Sequence, residues 1–161
     1  MEIIAAGAIW HYLKNTEHPN RQHITSVQRI NREDHLWMDR FTIRNLELIS
    51  NRADEHTLFK TINHTVSPMG ARLLRRWLLM PLNNLMSINE RLDTVEYLIK
   101  ETDNRNKITQ HIKLAGDVER LSAKVPLKKI NPREVLQIAR GLQQTLALKE
   151  ICEASTNTYL K

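Results

Sequence analysis

The sequence predicts a mainly α-helical, multi-helix fold with one short β-hairpin near residues 25–39. Apolar residues recur at helical spacing in several segments, and residues that commonly cap helices precede most of those segments. Glycine and proline are rare, four and five in 161 residues, and they are scattered rather than clustered. The length and the 41% share of hydrophobic residues suit one helical domain over residues 1–161.

The N-terminal part of the chain predicts a helix, a loop and the hairpin. Residues 2–16 are apolar nearly all round, which predicts a helix buried on more than one side. Polar residues up to His23 then form a loop. Two short segments, 25–30 and 35–39, flank a turn-like stretch and predict the hairpin. Because a two-stranded ribbon is not stable alone, we expect it to lie on the helices.

Short helices follow the hairpin. Asp39 is a good N-cap for a helix that runs to about Ile49, and a polar surface loop occupies residues 50–56. A second brief helix is predicted from Thr57 to His64.

The segment Thr65–Pro81 predicts a helix with one broad apolar face and one basic face. Ser67 can cap its N-terminus, Pro68 suits the first turn, and Pro81 ends it. At 100° per residue, about half of the circumference is apolar, and it comprises Met69, Leu73, Leu74, Trp77, Leu78 and Met80. The opposite ridge comprises Arg72, Arg75 and Arg76.

Three further helices are predicted in the C-terminal half. Ser87 and Glu90 form a capping box before an apolar stripe, and Asp117 begins another helix. Asn131 caps the last one, which runs to about Ser155. Its seam has helical spacing and comprises Val135, Ala139, Leu142 and Leu146.

The residues needed for common catalytic and cofactor sites are missing. The four glycines lie far apart, so no glycine-rich phosphate loop is present, and one cysteine excludes an internal disulfide. The seven histidines show no zinc-binding spacing. We therefore predict no catalytic residue, no cofactor and no metal in this chain. No apolar run reaches the ~20 residues that cross a bilayer, which predicts a cytoplasmic protein with no membrane partner.

Basic residues outnumber acidic ones, which favours anionic partners. The net charge is +6 and the sequence pI is about 9.7. Two groups of cations are candidates for phosphate contacts or for pairing with carboxylates of neighbouring domains: Arg72, Arg75 and Arg76, and Lys128, Lys129 and Arg133. The alternative is a charged exterior whose local ion pairs contribute under about 1 kcal/mol each.

Several ordered motifs resemble the core (lever) domain of the MutS family of DNA mismatch-repair proteins. They are Asp39–Leu48, with its Asn-Leu-Glu-Leu end, and Thr65–Pro81, with its Pro-Met-Gly-x-Arg-Leu-Leu pattern. Ile88–Val95 and Asp117–Leu121 also look like that family. Ile43 departs from a position that is often basic in relatives. The resemblance covers nearly the whole chain.

The resemblance implies a core segment that follows the connector and precedes the DNA-embracing clamp. Family members are dimers that surround DNA, recognise a mispair at one end and bind ATP at the other. It therefore implies that ATP and magnesium bind in an ATPase domain outside this chain. It also implies three partners: double-stranded DNA with mismatches, a second MutS subunit and a MutL-type protein. The expected location is the bacterial cytoplasm, associated with the nucleoid.

The role implied for this chain is mechanical, since long core helices connect the two ends in that family. We expect Met69, Leu73 and Trp77 to form the fulcrum core and the seam Val135/Ala139/Leu142/Leu146 to form the lever packing. Two alternatives are open. One is a MutS-related recombination or branched-DNA protein, and the other is a free-standing helical module that binds a partner protein.

Overall fold

The computed structural model describes residues 2–16, 24, 26, 35–50 and 56–160, and within them the chain is mainly helical. This confirms the mainly α part of the predicted fold class. The helices in chain order are Glu2–Asn15 (α1), Arg40–Asn45 (α2), Leu58–Ile62 (α3), Pro68–Leu79 (α4), Leu85–Lys100 (α5), Thr102–Ala115 (α6), Val118–Ser122 (α7) and Pro132–Glu153 (α8).

Side-chain caps fix the starts of α2, α4 and α8, as predicted. Oδ1 of Asp39 accepts the Thr42 N–H at 2.6 Å, and this bond holds the pKa of the Asp39 carboxyl below its usual value. The Ser67 hydroxyl oxygen accepts from the backbone N–H of the third helical residue at 3.1 Å. Asn131 forms a reciprocal capping box with Glu134, at 2.9 and 3.1 Å. Each bond satisfies a backbone N–H that has no partner inside its helix.

Two predicted helix boundaries are wrong. α5 begins at Leu85 because Asn84 caps it, with the side-chain oxygen 3.2 Å from the Ser87 nitrogen. Ser87 therefore lies inside the helix and does not open a capping box. α2 ends at Asn45, well before Ile49, because Glu47 adopts a left-handed φ of 48° that an α-helix does not accommodate.

The β-hairpin expected near residues 25–39 is not supported. Most of its first arm and its turn lie outside the described residues. The second arm is described, and its one β-bridge joins His35 to Leu82. The Leu36 N–H donates to the Pro81 carbonyl at 2.8 Å, and the His35 ring Nδ1 lies 3.2 Å from the Met80 carbonyl oxygen. This arm therefore satisfies carbonyls at the end of α4.

The closest helix packing joins α8 to α6 and α7. α6 was not predicted, because most of its residues are polar; it ends at Ala115, and the next residue, Gly116, has a φ of 69°. His111 on α6 has its Nδ1 2.8 Å from the side-chain oxygen of Gln144 on α8. Lys124, just after α7, forms an ion pair with Glu134 on α8. These contacts position α8 along the other two helices.

Few of the apolar side chains that the structure describes are buried. Among the described residues, the buried apolar ones are Leu48 and Ala115. The predicted burial of α1 on more than one side is not found, since Ile3 is 89% exposed and Ile4 is 75% exposed. Helices that expose this much apolar surface are typical of segments that pack against further protein. Whether residues 1–161 form one domain stays a prediction.

Candidate functional site

The expected fulcrum on α4 is only partly covered. Trp77 is 38% exposed, Leu73 is 46% exposed, and Met69 is half-buried. The Arg91 guanidinium, from α5, lies 3.8 Å from the centroid of the Trp77 ring, which is a cation–π contact. The Arg91 Nε is buried and has no hydrogen-bond partner among the described residues. Trp77 therefore joins α4 to α5 through its ring face, while part of its surface is open to solvent.

The predicted seam of α8 lies on an exposed face. Val135 and Leu142 are each 51% exposed, Leu146 is 65% exposed, and Ala139 is exposed. The four residues share one face, as predicted, but no helix among the described residues lies over it. The packing role expected for the seam is thus not fulfilled within the described residues, and it stays a prediction for contacts beyond them.

The row of α8 that packs against α6 and α7 lies on average about 120° from the seam. It contains Ile138 and Gln144, both half-buried, and Gly141, which is buried. A Cβ atom at Gly141 would meet Val118 Cγ2 at 2.3 Å and the Ala115 carbonyl oxygen at 2.7 Å. Because glycine has no side chain, α8 can cross the α6–α7 junction at this close range.

Sequence reasoning missed Gly141 as a packing residue. Apolar periodicity counts large side chains, so a glycine contributes nothing to the pattern. An isolated glycine inside a strong helical pattern was the available indication, since such a residue often has a packing reason.

The Arg ridge of α4 is partly engaged within the chain. Arg72 contacts two carboxylates at the start of α7 through four hydrogen bonds. Its Nη1 and Nη2 donate to the two oxygens of Asp117 at 2.9 and 2.6 Å. Its Nε and Nη2 donate to Oε2 of Glu119 at 3.2 and 2.6 Å. Arg75 is half-buried and Arg76 is exposed. Contacts of these residues with phosphates or other domains stay a prediction.

The same network perturbs two ionisable groups. The carboxylates raise the pKa of the Arg72 guanidinium, chiefly through the hydrogen bonds with Asp117. In return, the hydrogen bond from Arg72 lowers the pKa of Asp117. Asp117 also accepts the Arg120 N–H at 3.2 Å and so caps α7. One carboxylate therefore starts a helix and joins it to α4.

The second cationic group surrounds the connection between α7 and α8. Lys128, Lys129 and Arg133 are all exposed, and Lys128 has a left-handed φ of 54°. Lys124 nearby is paired with Glu134, and that hydrogen bond is the main cause of the lowered Glu134 pKa. The three exposed cations are available to an anionic partner, and their predicted contacts are untested.

The described residues hold no group of three or more His, Cys, Asp or Glu side chains that could bind a metal ion. In the same ranges, no helix has the length and apolar character needed to cross a membrane. Cys152 is half-buried on α8.

Comparison with known proteins identifies the family. Residues 41–161 match the family model described as MutS domain III. The DNA mismatch repair protein MutS of Cytophaga hutchinsonii is 47% identical over 150 residues, 92% of this chain. The MutS proteins of Christiangramia forsetii and Bacteroides fragilis are 46% and 43% identical over 99% and 98% of the chain.

The chain spans 18% of the length of each of these relatives. The match to the Christiangramia forsetii protein extends over 160 residues and so spans the Asp39–Leu48 and Thr65–Pro81 segments and helices α4 to α8. The chain therefore belongs to the MutS family, and residues 41–161 correspond to its domain III.

Proposed function

We propose that this chain is the core (lever) segment of a mismatch-repair protein and couples its binding of mismatched DNA to its ATP turnover. The observation that carries the proposal is the form of α8. It has 22 residues and is therefore about 33 Å long. One face is packed on α6 and α7, and another presents an exposed apolar seam. A rod with one docked and one available face can transmit a small shift between distant sites.

The proposed parent protein binds double-stranded DNA with mismatches, pairs with a second MutS subunit and acts with a MutL-type partner. The relatives are mismatch-repair proteins by name, which favours this over the recombination or branched-DNA alternative. We place it in the bacterial cytoplasm, associated with the nucleoid.

ATP and magnesium would bind elsewhere in that parent protein. The residues here do not fit a nucleotide, because Gly7, Gly70 and Gly141 lie inside helices and Gly116 stands alone between two helices. A phosphate loop needs closely spaced glycines whose N–H groups approach the phosphates. We therefore propose that the chain alone is not an ATPase and has no cofactor.

The exposed seam provides a test. In the parent protein, the double variant Leu142→Ser with Leu146→Ser should keep mismatch binding and basal ATP turnover but lose the stimulation of turnover by mismatched DNA. The matched control is Leu136→Ser, since Leu136 is 51% exposed on α8 but lies about 100° from the seam. In the isolated chain, the free energy of unfolding of both variants should lie within about 0.5 kcal/mol of the wild-type value, because the altered side chains are exposed. Normal stimulation in the double variant would refute the proposal.

A further inference from the structure

The contacts of Arg72 form a continuous path from α4 to α8. Arg72 on α4 is hydrogen-bonded to Asp117, which is the N-cap of α7. The next residue, Val118, lies where α8 makes its closest approach, with its Cγ2 2.3 Å from the position of a Cβ on Gly141. A change in the position of Asp117 therefore moves the surface on which α8 rests.

Two properties make this contact both directional and breakable. The guanidinium is a planar fork, and here it bridges two carboxylates, so it fixes orientation as well as distance. Its side chain is 45% exposed, that of Glu119 is 68% exposed and that of Asp117 is 19% exposed, so salt screens the pair with Glu119 more strongly than the pair with Asp117. Exposed ion pairs weaken as salt is added, since the screening length falls from about 10 Å at 0.1 M to about 3 Å at 1 M.

We propose that Arg72, Asp117 and Glu119 form an ionic latch that holds α4 at a fixed orientation to α8 and that opens when these charges are screened. Two other contacts of these helices do not have both properties, an ionic character and a connection from α4 towards α8. The crossing at Gly141 is steric, and the Trp77–Arg91 contact joins α4 to α5. The role of the latch in transmission rests on the proposed function. The opening of the latch by salt is a property of this chain alone and does not depend on that function.

Distance measurement between two spin labels tests the latch. Labels are placed on exposed positions of the two helices, as Arg76→Cys on α4 and Gln143→Cys on α8, in a Cys152→Ser background. We expect a narrow distance distribution in 0.1 M salt and a clearly broader one in 1 M salt. Arg72→Ala should be broad at both salt concentrations. Arg72→Lys should be intermediate, because an ammonium group lacks the fork that bridges two carboxylates.

The matched control is Lys100→Ala, which breaks the exposed ion pair between Lys100 and Glu96 inside α5. It should leave the distribution narrow in 0.1 M salt. A distribution in Arg72→Ala equal to that of wild type, at equal helical circular dichroism, would overturn the latch. If Arg72→Ala loses its helical signal, the test depends on the wild-type protein alone. A wild-type distance distribution that is as narrow in 1 M salt as in 0.1 M salt would then overturn the proposal.

A second readout separates the latch from the proposed function. In the parent protein, Arg72→Ala should reduce the stimulation of ATP turnover by mismatched DNA. A latch that opens without any change in this stimulation has no part in transmission. The seam variants Leu142→Ser and Leu146→Ser test the proposed function independently of Arg72.

Discussion

Replacement of Gly141 by alanine tests the helix crossing on which the position of α8 depends. Outside a tight contact, a helical glycine-to-alanine change stabilises a protein by roughly 0.5–1 kcal/mol. Here the new Cβ would lie 2.3 Å from Val118 Cγ2 and 2.7 Å from the Ala115 carbonyl oxygen. Carbon atoms pack best at about 3.5–4.0 Å, so α8 must move away by about 1 Å.

Neither obstructing atom can move easily, because one belongs to a β-branched side chain and the other to the backbone. Overpacking of this kind costs about 1–3 kcal/mol, which exceeds the gain in helix propensity. We therefore expect Gly141→Ala to lower the free energy of unfolding by about 1 kcal/mol. The assay is urea unfolding of the isolated chain, followed by circular dichroism.

Gly7 provides the matched control for this substitution. It also lies inside a helix, α1, but a Cβ added there meets no atom within 4 Å. Gly7→Ala should therefore stabilise α1 and not destabilise the chain. Adding Val118→Ala to Gly141→Ala should recover part of the loss, because it removes the nearest obstructing methyl group. If Gly141→Ala stabilises the chain as Gly7→Ala does, the close crossing is refuted.

Three further predictions concern caps, acid and the α4–α5 contact. Ser67→Ala should lower the free energy of unfolding by about 1 kcal/mol, and Ser67→Thr should retain most of the stabilisation from the cap. Equal urea midpoints for Ser67→Ala and wild type would contradict this. Asp117 and Glu134 have lowered pKa values in the folded chain, so the stability that they contribute is present above their ordinary values of 3.8 and 4.5 and lost as pH falls further. The urea concentration at the unfolding midpoint should therefore decrease when the pH is lowered below about 4.5, and it should decrease less in Asp117→Asn. A midpoint that increases on acidification would refute the ionic account. Trp77→Ala should cost about 2 kcal/mol, below the 3–5 of a fully buried aromatic residue, because Trp77 is 38% exposed. Trp77→Phe should retain much of that stability by keeping a ring beneath Arg91, and equal losses in Phe and Ala would argue against the cation–π contact.

The parts of the fold that follow from local sequence were predictable. Ser67 and Asn131 cap helices through bonds to residues three positions away, so short motifs revealed where α4 and α8 begin. The partners of Arg72 were not predictable in this way. Asp117 and Glu119 lie 45 and 47 residues further along the chain, and no local pattern relates them to α4.

The missed elements have a common physical cause. α6 is polar along most of its length, and it is held by contacts such as His111–Gln144 that depend on a distant helix. Its partner surface on α8 centres on Gly141, which apolar periodicity does not count. The seam at Val135 and Leu142 is a regular apolar pattern, yet the described residues leave it exposed. Periodicity shows that residues share a face, but it does not show what covers that face.

The most direct test of the central claim uses the proposed parent protein with the substitution Gln143→Pro. The quantity measured is the rate of ATP turnover with mismatched DNA divided by the rate without it. Gln143 is exposed on α8, so the substitution breaks the rod without removing a packed side chain. Gln143→Ala is the control. We predict that Gln143→Pro binds mismatched DNA but that its ratio falls to about one, whereas Gln143→Ala keeps the wild-type ratio. A wild-type ratio in Gln143→Pro would contradict the claim that α8 transmits the signal.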